Sequence, residues 1–169
     1  MRTSTIIAVA ALLLAGCEVK TATTDEPAAA AATGAPVTEA EADRIVGEMH
    51  ASFTSGDAFK IMDHYAPGAV LFDPTHAEPT GDRAVQTKWA AEFVTMKPSD
   101  LVSTPRQVQI LGADAFVVSG IAAFLADVGG NRQRLTARYS QLFQRQPGGS
   151  WKIVHEHMSL PPAPAGPGA

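Results

Sequence analysis

Apolar residues recur at helical spacing in three segments of the first half of the chain. The first segment follows Thr38, which has Glu41 three residues later, a spacing typical of a capping box that starts a helix. A shorter helix is predicted after Asp57 and a third over residues 82–94. The predicted apolar stripes are Ile45, Met49 and Phe53 in the first helix, Phe59, Met62 and Tyr65 in the second, and Val85, Trp89 and Phe93 in the third.

From Asp100 onward, extended segments alternate with turn sequences. An early short strand, "AVLFDP" at 69–74, stops at Pro74, and four later segments are separated by Gly112, "GGN" and "PGGS". Consecutive strands joined by tight turns pair antiparallel, so these four form a meander. The order predicts an α+β domain with N-terminal helices packed on the concave face of a conical, strongly curved antiparallel sheet. Gly120 favours bending of the sheet, and a cone leaves a cavity at its open end.

The N-terminus has the features of an export signal. Arg2 precedes the apolar run "IIAVAALLLAG", which is too short to span a bilayer and matches the apolar region of a signal peptide. The run ends at "LAGC", which resembles a bacterial lipobox. That resemblance implies that residues 1–16 are a signal peptide and that Cys17 is lipidated, anchoring the chain to a membrane of the bacterial cell envelope, with the domain in the periplasm or otherwise outside the cytoplasm. The alternatives are an ordinary signal peptide cleaved near Ala15 or Gly16, or a buried cysteine in a cytoplasmic protein.

Composition separates a globular centre from two ends without apolar periodicity. Residues 17–37 are rich in Ala, Thr and Pro and predict a flexible linker, and residues 161–169 predict a disordered Pro and Gly tail. The domain is therefore predicted over residues 38–160. A formal charge of -4, with Lys and Arg scattered singly, argues against a nucleic-acid partner, and a single cysteine permits no internal disulfide.

Two histidines lie one residue apart in the last strand, within "WKIVHEHMSLPP" at 151–162. They could bind a metal together with His64, His76 or an acid, act as a general base, or make structural hydrogen bonds. Strict alternation places Trp151, Ile153, His155, His157 and Ser159 on one face, and Lys152, Val154, Glu156 and Met158 on the other. Because both faces are mixed, alternation alone leaves open which face lines the cavity.

The order of elements and three segments resemble the nuclear transport factor 2-like superfamily, in its SnoaL-like and ketosteroid-isomerase-like branch. The segments are "HYAPGAVLFDP" at 64–74, "TGDRAV" at 80–85 and "GGSWKIVHEHMSLPP" at 148–162, the last being similar to the end of the calcium/calmodulin-dependent kinase association domain. The resemblance implies a cone with a pocket between helices and sheet, and a homodimer packed through the outer sheet face. Kinase association domains have basic pocket residues at the positions of Gln141 and Met158, which would turn the histidines outward. This chain lacks those basic residues.

Three residues are candidate catalytic groups: Asp73, His155 and His157. Asp73 ends a strand near the predicted pocket and could transfer a proton, as the resemblance to ketosteroid isomerases implies, or serve as a turn residue before proline. The candidate ligand-binding residues are Tyr65, Trp89, Arg138, Tyr139, Gln141 and Glu156. The tyrosines are the candidate oxyanion donors, and Arg138 is expected to pair with Glu156 on the adjacent strand.

These observations predict an exported, lipid-anchored domain that binds a small apolar or amphipathic molecule in its cone without a demonstrable reaction and without a cofactor or a metal. The first alternative is an isomerase-like or dehydratase-like enzyme that works by proton transfer. The second is a dimerising interaction scaffold. The expected partners are the small molecule, a second copy of the chain, and a membrane that is contacted through the lipid anchor alone.

Overall fold

The computed structural model describes residues 35–162 of the chain. Cys17, the predicted signal peptide, most of the linker and most of the tail lie outside the described residues. The helices of this region are α1 at Glu39–Phe53, α2 at Ala58–Asp63 and α3 at Arg83–Thr95, and the first strand lies between α2 and α3. Within 35–162, no helix has the length and apolar content needed to cross a membrane.

Side-chain caps start all three helices. Thr38 Oγ1 accepts from the Glu41 amide at 3.2 Å, which confirms the predicted start of α1. Asp57 accepts from the Phe59 amide at 2.9 Å, and Asp82 accepts from the Ala84 amide at 2.7 Å. Each cap satisfies an amide that has no partner inside its helix, so local sequence determines where these helices begin.

The strands are β1 at Tyr65–Phe72, β2 at Ser99–Ile110, β3 at Ala115–Val128, β4 at Asn131–Arg145 and β5 at Trp151–Ser159. They form one sheet in the order β1-β5-β4-β3-β2. The antiparallel meander from β2 to β5 is confirmed, including a tight β3–β4 turn in which Gly129 and Gly130 both have positive φ, at 58° and 80°. The sheet is mixed, however, because β1 pairs parallel to β5. No tight turn fixes the direction of β1, since a long connection containing α3 separates it from the meander.

Three details of the predicted helices were wrong. Phe59, predicted on the apolar stripe of the second helix, is 80% exposed. Tyr65 begins β1 and does not belong to the second helix, which ends at Asp63. The face of α3 that packs inward is centred on Gln86, Ala90 and Phe93. Gln86 is buried because its Nε2 donates to the carbonyls of Ala69, at 2.7 Å, and Thr80, at 3.1 Å, and so fastens α3 to β1.

The helices cover one face of the sheet, which we call the inner face. Phe93 of α3 meets Phe124 of β3 with ring centroids 5.6 Å apart, and His50 of α1 meets Tyr139 of β4 at 5.8 Å. Val37 also belongs to the buried core at 4% exposure, so the packed region begins before the predicted boundary at residue 38. Residues that alternate along β3 and β4 contribute much of the remaining inner face.

Candidate functional site

A cavity of about 330 Å³ lies between the helices and the inner face of the sheet. This volume is at the lower end of the range for small-molecule sites. Its wall is mainly apolar and aromatic. The lining residues are His50, Phe53, Asp73, Pro74, Thr75, Trp89, Phe93, Met96, Leu101, Ala122, Phe124, Val128, Leu135, Thr136, Ala137, Tyr139, Gln141, Met158 and Leu160.

Gln141 is the most deeply buried polar residue of the cavity wall. It lies on the inner face of β4 with 4% of its surface exposed. Its Nε2 donates to Glu156 Oε2 at 2.5 Å and lies 3.9 Å from Met49 Sδ of α1. Its Oε1 is buried and has no hydrogen-bond partner among the described residues. The amide is therefore oriented by Glu156 and keeps one unused acceptor.

Glu156 lies behind Gln141 and is 1% exposed. Tyr65 donates its hydroxyl to Glu156 Oε2 at 3.0 Å, so the carboxyl holds two donors. Burial raises the pKa of Glu156 to about 7, the negative charge of Asp73 adds to this increase, and the hydrogen bonds from Gln141 and Tyr65 oppose it. A carboxyl with this pKa exchanges its proton near neutral pH.

A bulge in β5 turns Glu156 toward the helices. Phe143 pairs with Ile153 and Leu142 pairs with His155, so Val154 is the extra residue on β5. Ile153 and Glu156 are both fully buried although they are three residues apart. Strict alternation had placed them on opposite faces, and the bulge reverses the alternation between them.

His155 and His157 lie on the opposite, outer face of the sheet. They are exposed, they flank Phe72 with ring centroids 5.8 and 5.5 Å from it, and neither lines the cavity. The outward orientation implied by the kinase association domains is confirmed. Catalysis by these histidines on a molecule inside the cavity does not fit this placement, because the sheet separates them from it.

Arg138 also lies on the outer face, away from the cavity. It is directly opposite Ser159, whereas Glu156 is opposite Gln141. The predicted pair between Arg138 and Glu156 is therefore wrong, because the two side chains project from opposite faces of the sheet. A ligand-binding role for Arg138 in the cavity is not compatible with this position.

Asp73 lies in the cavity wall just after β1. Its side chain is 10% exposed, and its Oδ1 accepts from the Thr75 amide at 2.8 Å and from the Thr75 hydroxyl. His76 Nδ1 lies 3.6 Å from the same oxygen. Asp73 thus combines both predicted features: it closes a turn, and it brings a carboxylate to the cavity.

Trp89 and Tyr139 both line the cavity as candidate ligand-binding residues. Trp89 stacks on Phe93 with ring centroids 5.9 Å apart and meets Tyr65 edge to face at 6.4 Å. Tyr139 shares a hydrogen bond of 2.5 Å with Ser103 Oγ of β2. The hydroxyls of Tyr65, which does not line the cavity, and of Tyr139 are therefore both engaged within the protein, whereas Gln141 Oε1 is a buried wall acceptor without a partner among the described residues.

His50 lines the cavity and was missed by the sequence analysis. Burial, assisted by the nearby positive charge of Arg106, lowers the pKa of His50 to about 4, so its imidazole is neutral near pH 7. Arg106 itself is held by Asp43 of α1 at 2.5 Å. The one sequence signal was position, because His50 follows Val46 by four residues and so lies on the buried side of α1.

A second, wider groove of about 870 Å³ lies at the surface beside α1, α2 and the start of α3. Charged residues of both signs line it, among them Lys60, Asp63 and Arg83, and Phe59 beside them is 80% exposed. None of the candidate catalytic or ligand-binding residues lines this groove, whereas His64, a candidate metal ligand, does. Within 35–162, no three His, Cys, Asp or Glu side chains lie close enough together to hold a metal ion.

Comparison with known proteins identifies the family. The family model described as SnoaL-like domain matches residues 43–164. The chain belongs to the SnoaL-like domain family. A search of the curated proteins found no match.

Solved structures agree with this assignment. A protein named as a calcium/calmodulin dependent protein kinase II association domain from Xanthomonas campestris is 27% identical, with a TM-score of 0.67 over 77% of this chain and 94% of that one. A nuclear transport factor 2-like superfamily protein from Salmonella enterica is 22% identical, with a TM-score of 0.63 over 76% and 94%. An NTF2-like protein of unknown function in nutrient uptake from Rhodospirillum rubrum is 20% identical, with a TM-score of 0.60 over 71% and 98%. The last two support the fold alone, and fold does not determine activity.

Proposed function

We propose that this SnoaL-like domain binds a small amphipathic molecule in the cavity between its helices and sheet. The observation that carries the proposal is an apolar, aromatic cavity of about 330 Å³ with a buried, partly unpaired amide, that of Gln141, in its wall. Apolar walls drive binding, whereas a few fixed polar groups orient the ligand. The interaction scaffold is a weaker alternative, because a scaffold does not require this cavity.

The test fills the cavity and compares binding. Ala122 lines the cavity, whereas Ala123 is the next residue of β3 and does not. Alternation places the side chain of Ala123 on the outer face. Phenethyl alcohol, a small neutral amphipathic probe, is titrated calorimetrically into the full chain and into Ala122→Leu and Ala123→Leu. Binding to the wild type and to Ala123→Leu, with loss in Ala122→Leu, supports the proposal. Equal binding to all three, or none to the wild type together with no retained ligand by native mass spectrometry, overturns it.

A second candidate function is proton transfer of the isomerase kind. It is favoured by Asp73, which brings a carboxylate to the cavity wall. Glu156 has a pKa of about 7 but does not line the cavity, so it would act through Gln141, to which it is hydrogen-bonded. A β,γ-unsaturated ketone provides the test, because its isomerisation gives a conjugated product with a new ultraviolet absorbance. The enzyme hypothesis expects acceleration by the wild type and loss of it in Glu156→Gln or Asp73→Asn. No acceleration above buffer by the wild type contradicts it.

We further propose that the domain forms a homodimer through the outer face of the sheet. Phe72, Val70 and Ile121 are large apolar side chains on this face with 39, 36 and 37% exposure. Two similar structures are named as kinase association domains and a third as a kinase hub homology domain, and these names describe assembly. Size-exclusion chromatography with light scattering should give a dimer mass for the wild type and a monomer mass for Phe72→Glu. A monomeric wild type contradicts the proposal.

We also propose that Cys17 carries a lipid and holds the domain at a membrane of the bacterial cell envelope. The support is the sequence "LAGC" after a short apolar run. Fractionation of cells that express the full chain should place the wild type with membranes and Cys17→Ser with soluble proteins. A Cys17→Ser variant that stays with the membranes contradicts lipid anchoring.

A further inference from the structure

The charge of the cavity wall is negative. Among the lining residues, all of which lie in the described part of the chain, Asp73 is the single fully charged side chain and no Lys or Arg is present. His50 adds no positive charge near neutral pH, since burial lowers its pKa. Arg106 lies close to His50 but is paired with Asp43 at 2.5 Å. An anionic ligand would therefore meet no positive partner in the wall and would be repelled by Asp73.

The wall contains one buried acceptor that has no partner among the described residues, Gln141 Oε1. Gln141 Nε2 is committed to Glu156 Oε2 at 2.5 Å, which fixes the orientation of the amide and leaves Oε1 without a partner among the described residues. A buried acceptor without a partner is unfavourable, so a ligand gains affinity by donating a hydrogen bond to it. A ligand that presents only acceptors, such as a carboxylate, would leave Oε1 unpaired.

Aromatic rings form much of the remaining wall. Trp89, Phe93 and Phe53 pack on one another with ring centroids 5.6 to 6.3 Å apart, and Phe124 adds a fourth ring 5.6 Å from Phe93. Aromatic faces attract cations, and Trp does so most strongly. The wall thus presents a carboxylate, an unpaired acceptor and aromatic faces. All three favour a ligand group that is positively charged and donates hydrogen bonds.

We infer that the ligand is a small amphipathic amine, whose ammonium group donates to Gln141 Oε1 and is stabilised by Asp73 and the aromatic rings. The inference rests on the proposed binding function and names the chemical class of its ligand. The apolar part of the amine would contact the apolar wall residues, among them Leu101 and Met158. Glu156 acts as a positioning residue, because it orients the Gln141 amide without lining the cavity.

The first test is a series of three probes with the same aromatic body: phenethylamine, phenethyl alcohol and phenylacetate. Each is titrated calorimetrically into the full wild-type chain at neutral pH. The expected order of affinity is amine, then alcohol, then acid, with the amine about tenfold or more above the alcohol, since a hydrogen bond to a charged group is stronger than a neutral one. If the alcohol binds and phenylacetate binds as tightly as the amine or more tightly, the amine inference is wrong while the binding function stands. If no probe binds, the proposed function fails as well.

The second test removes the charge without changing the shape of the wall. Asp73→Asn keeps the turn acceptor and should reduce the affinity for phenethylamine about tenfold while changing that for phenethyl alcohol by less than about twofold. Glu92→Gln is the matched control, because it removes one negative charge from an exposed position of α3 that does not line the cavity. Equal loss of amine affinity in both variants would show a general charge effect and would overturn a role for Asp73 in recognition.

Discussion

Gln141 and Glu156 lie directly opposite each other on β4 and β5, and a 2.5 Å hydrogen bond joins the amide to the buried carboxyl. The pair connects the cavity wall to a titratable group that has no contact with solvent. Tyr65 from β1 completes the cluster from the other side of Glu156, with its hydroxyl 3.0 Å away. Side chains from three neighbouring strands therefore meet at the Glu156 carboxyl. The protonation of Glu156 should affect both the stability of the fold and the binding of a ligand in the cavity.

The first prediction concerns the pH dependence of stability. The pKa of Glu156 is raised to about 7 in the folded protein, so the folded state binds a proton more tightly than the unfolded chain. This group therefore stabilises the fold at low pH, and its contribution is lost as the pH rises from about 4.5 through about 7. Glu156→Gln should remove this pH slope, so its stability relative to the wild type should rise by up to about 3 kcal/mol, an order-of-magnitude value, between about pH 4.5 and about pH 8.

Urea unfolding of the wild type and Glu156→Gln across this pH range measures the difference. The groups that face Glu156 are Tyr65 and Gln141, the charge of Asp73 at the end of β1, and Met49 of α1 through Gln141. A difference between wild type and variant that does not change with pH would contradict the assignment of a raised pKa.

His50 should have the opposite pH dependence. Its pKa is lowered to about 4 by burial and by the positive charge of Arg106, so the unfolded chain binds the proton more tightly. The fold should lose stability as the pH falls from about 6.5 to about 4, on the order of 2 kcal/mol after allowance for partial exposure. His50→Phe should lose less unfolding free energy than the wild type when the pH falls from about 6.5 to about 4, as measured by urea unfolding. An equal loss in the two proteins would contradict this prediction.

The hydroxyls of Tyr65 and Tyr139 donate to or share hydrogen bonds with different partners, the titratable Glu156 and the neutral Ser103. Tyr65→Phe takes a donor from Glu156, and we expect a loss of about 1 to 3 kcal/mol that is larger above pH 7, where Glu156 is ionised. Tyr139→Phe is the matched control, because it removes a hydrogen bond to Ser103 that has no carboxyl partner. Its loss should be about 1 kcal/mol and independent of pH near neutrality. The same pH dependence in both variants would refute the role of Tyr65 as a donor to the carboxylate.

The sequence predicted the helix starts and the meander because capping residues and tight turns act locally. Thr38 and Asp57 need only their neighbours to begin a helix. The parallel position of β1 depends on packing across the whole domain, and no local pattern encodes it. The resemblance to kinase association domains correctly predicted that His155 and His157 point outward, whereas alternation alone left their orientation open.

The candidate site was only partly predictable for a similar reason. Gln141, Tyr139 and Trp89 were identified and do line the cavity. The bulge at Val154 gives no signal in the alternation of β5, so the burial of both Ile153 and Glu156 could not be read from strict alternation. His50 has no motif around it, and its role in the wall becomes visible only when α1 packs over Tyr139.

The last prediction separates the two faces of the sheet. His155 and His157 contact Phe72 on the outer face, whereas Gln141 lies in the cavity wall on the inner face. The double variant His155→Asn and His157→Asn should keep the affinity for phenethylamine within about twofold, because the exchanged side chains do not reach the cavity. Gln141→Leu should reduce that affinity about tenfold, because it removes the acceptor. Calorimetric titration of the amine measures both variants, and light scattering records whether the double variant also changes the assembly state. The double variant could lose amine binding while its assembly state stays that of the wild type. That result would show that the outer face contributes to recognition and would contradict the assignment of the cavity as the binding site.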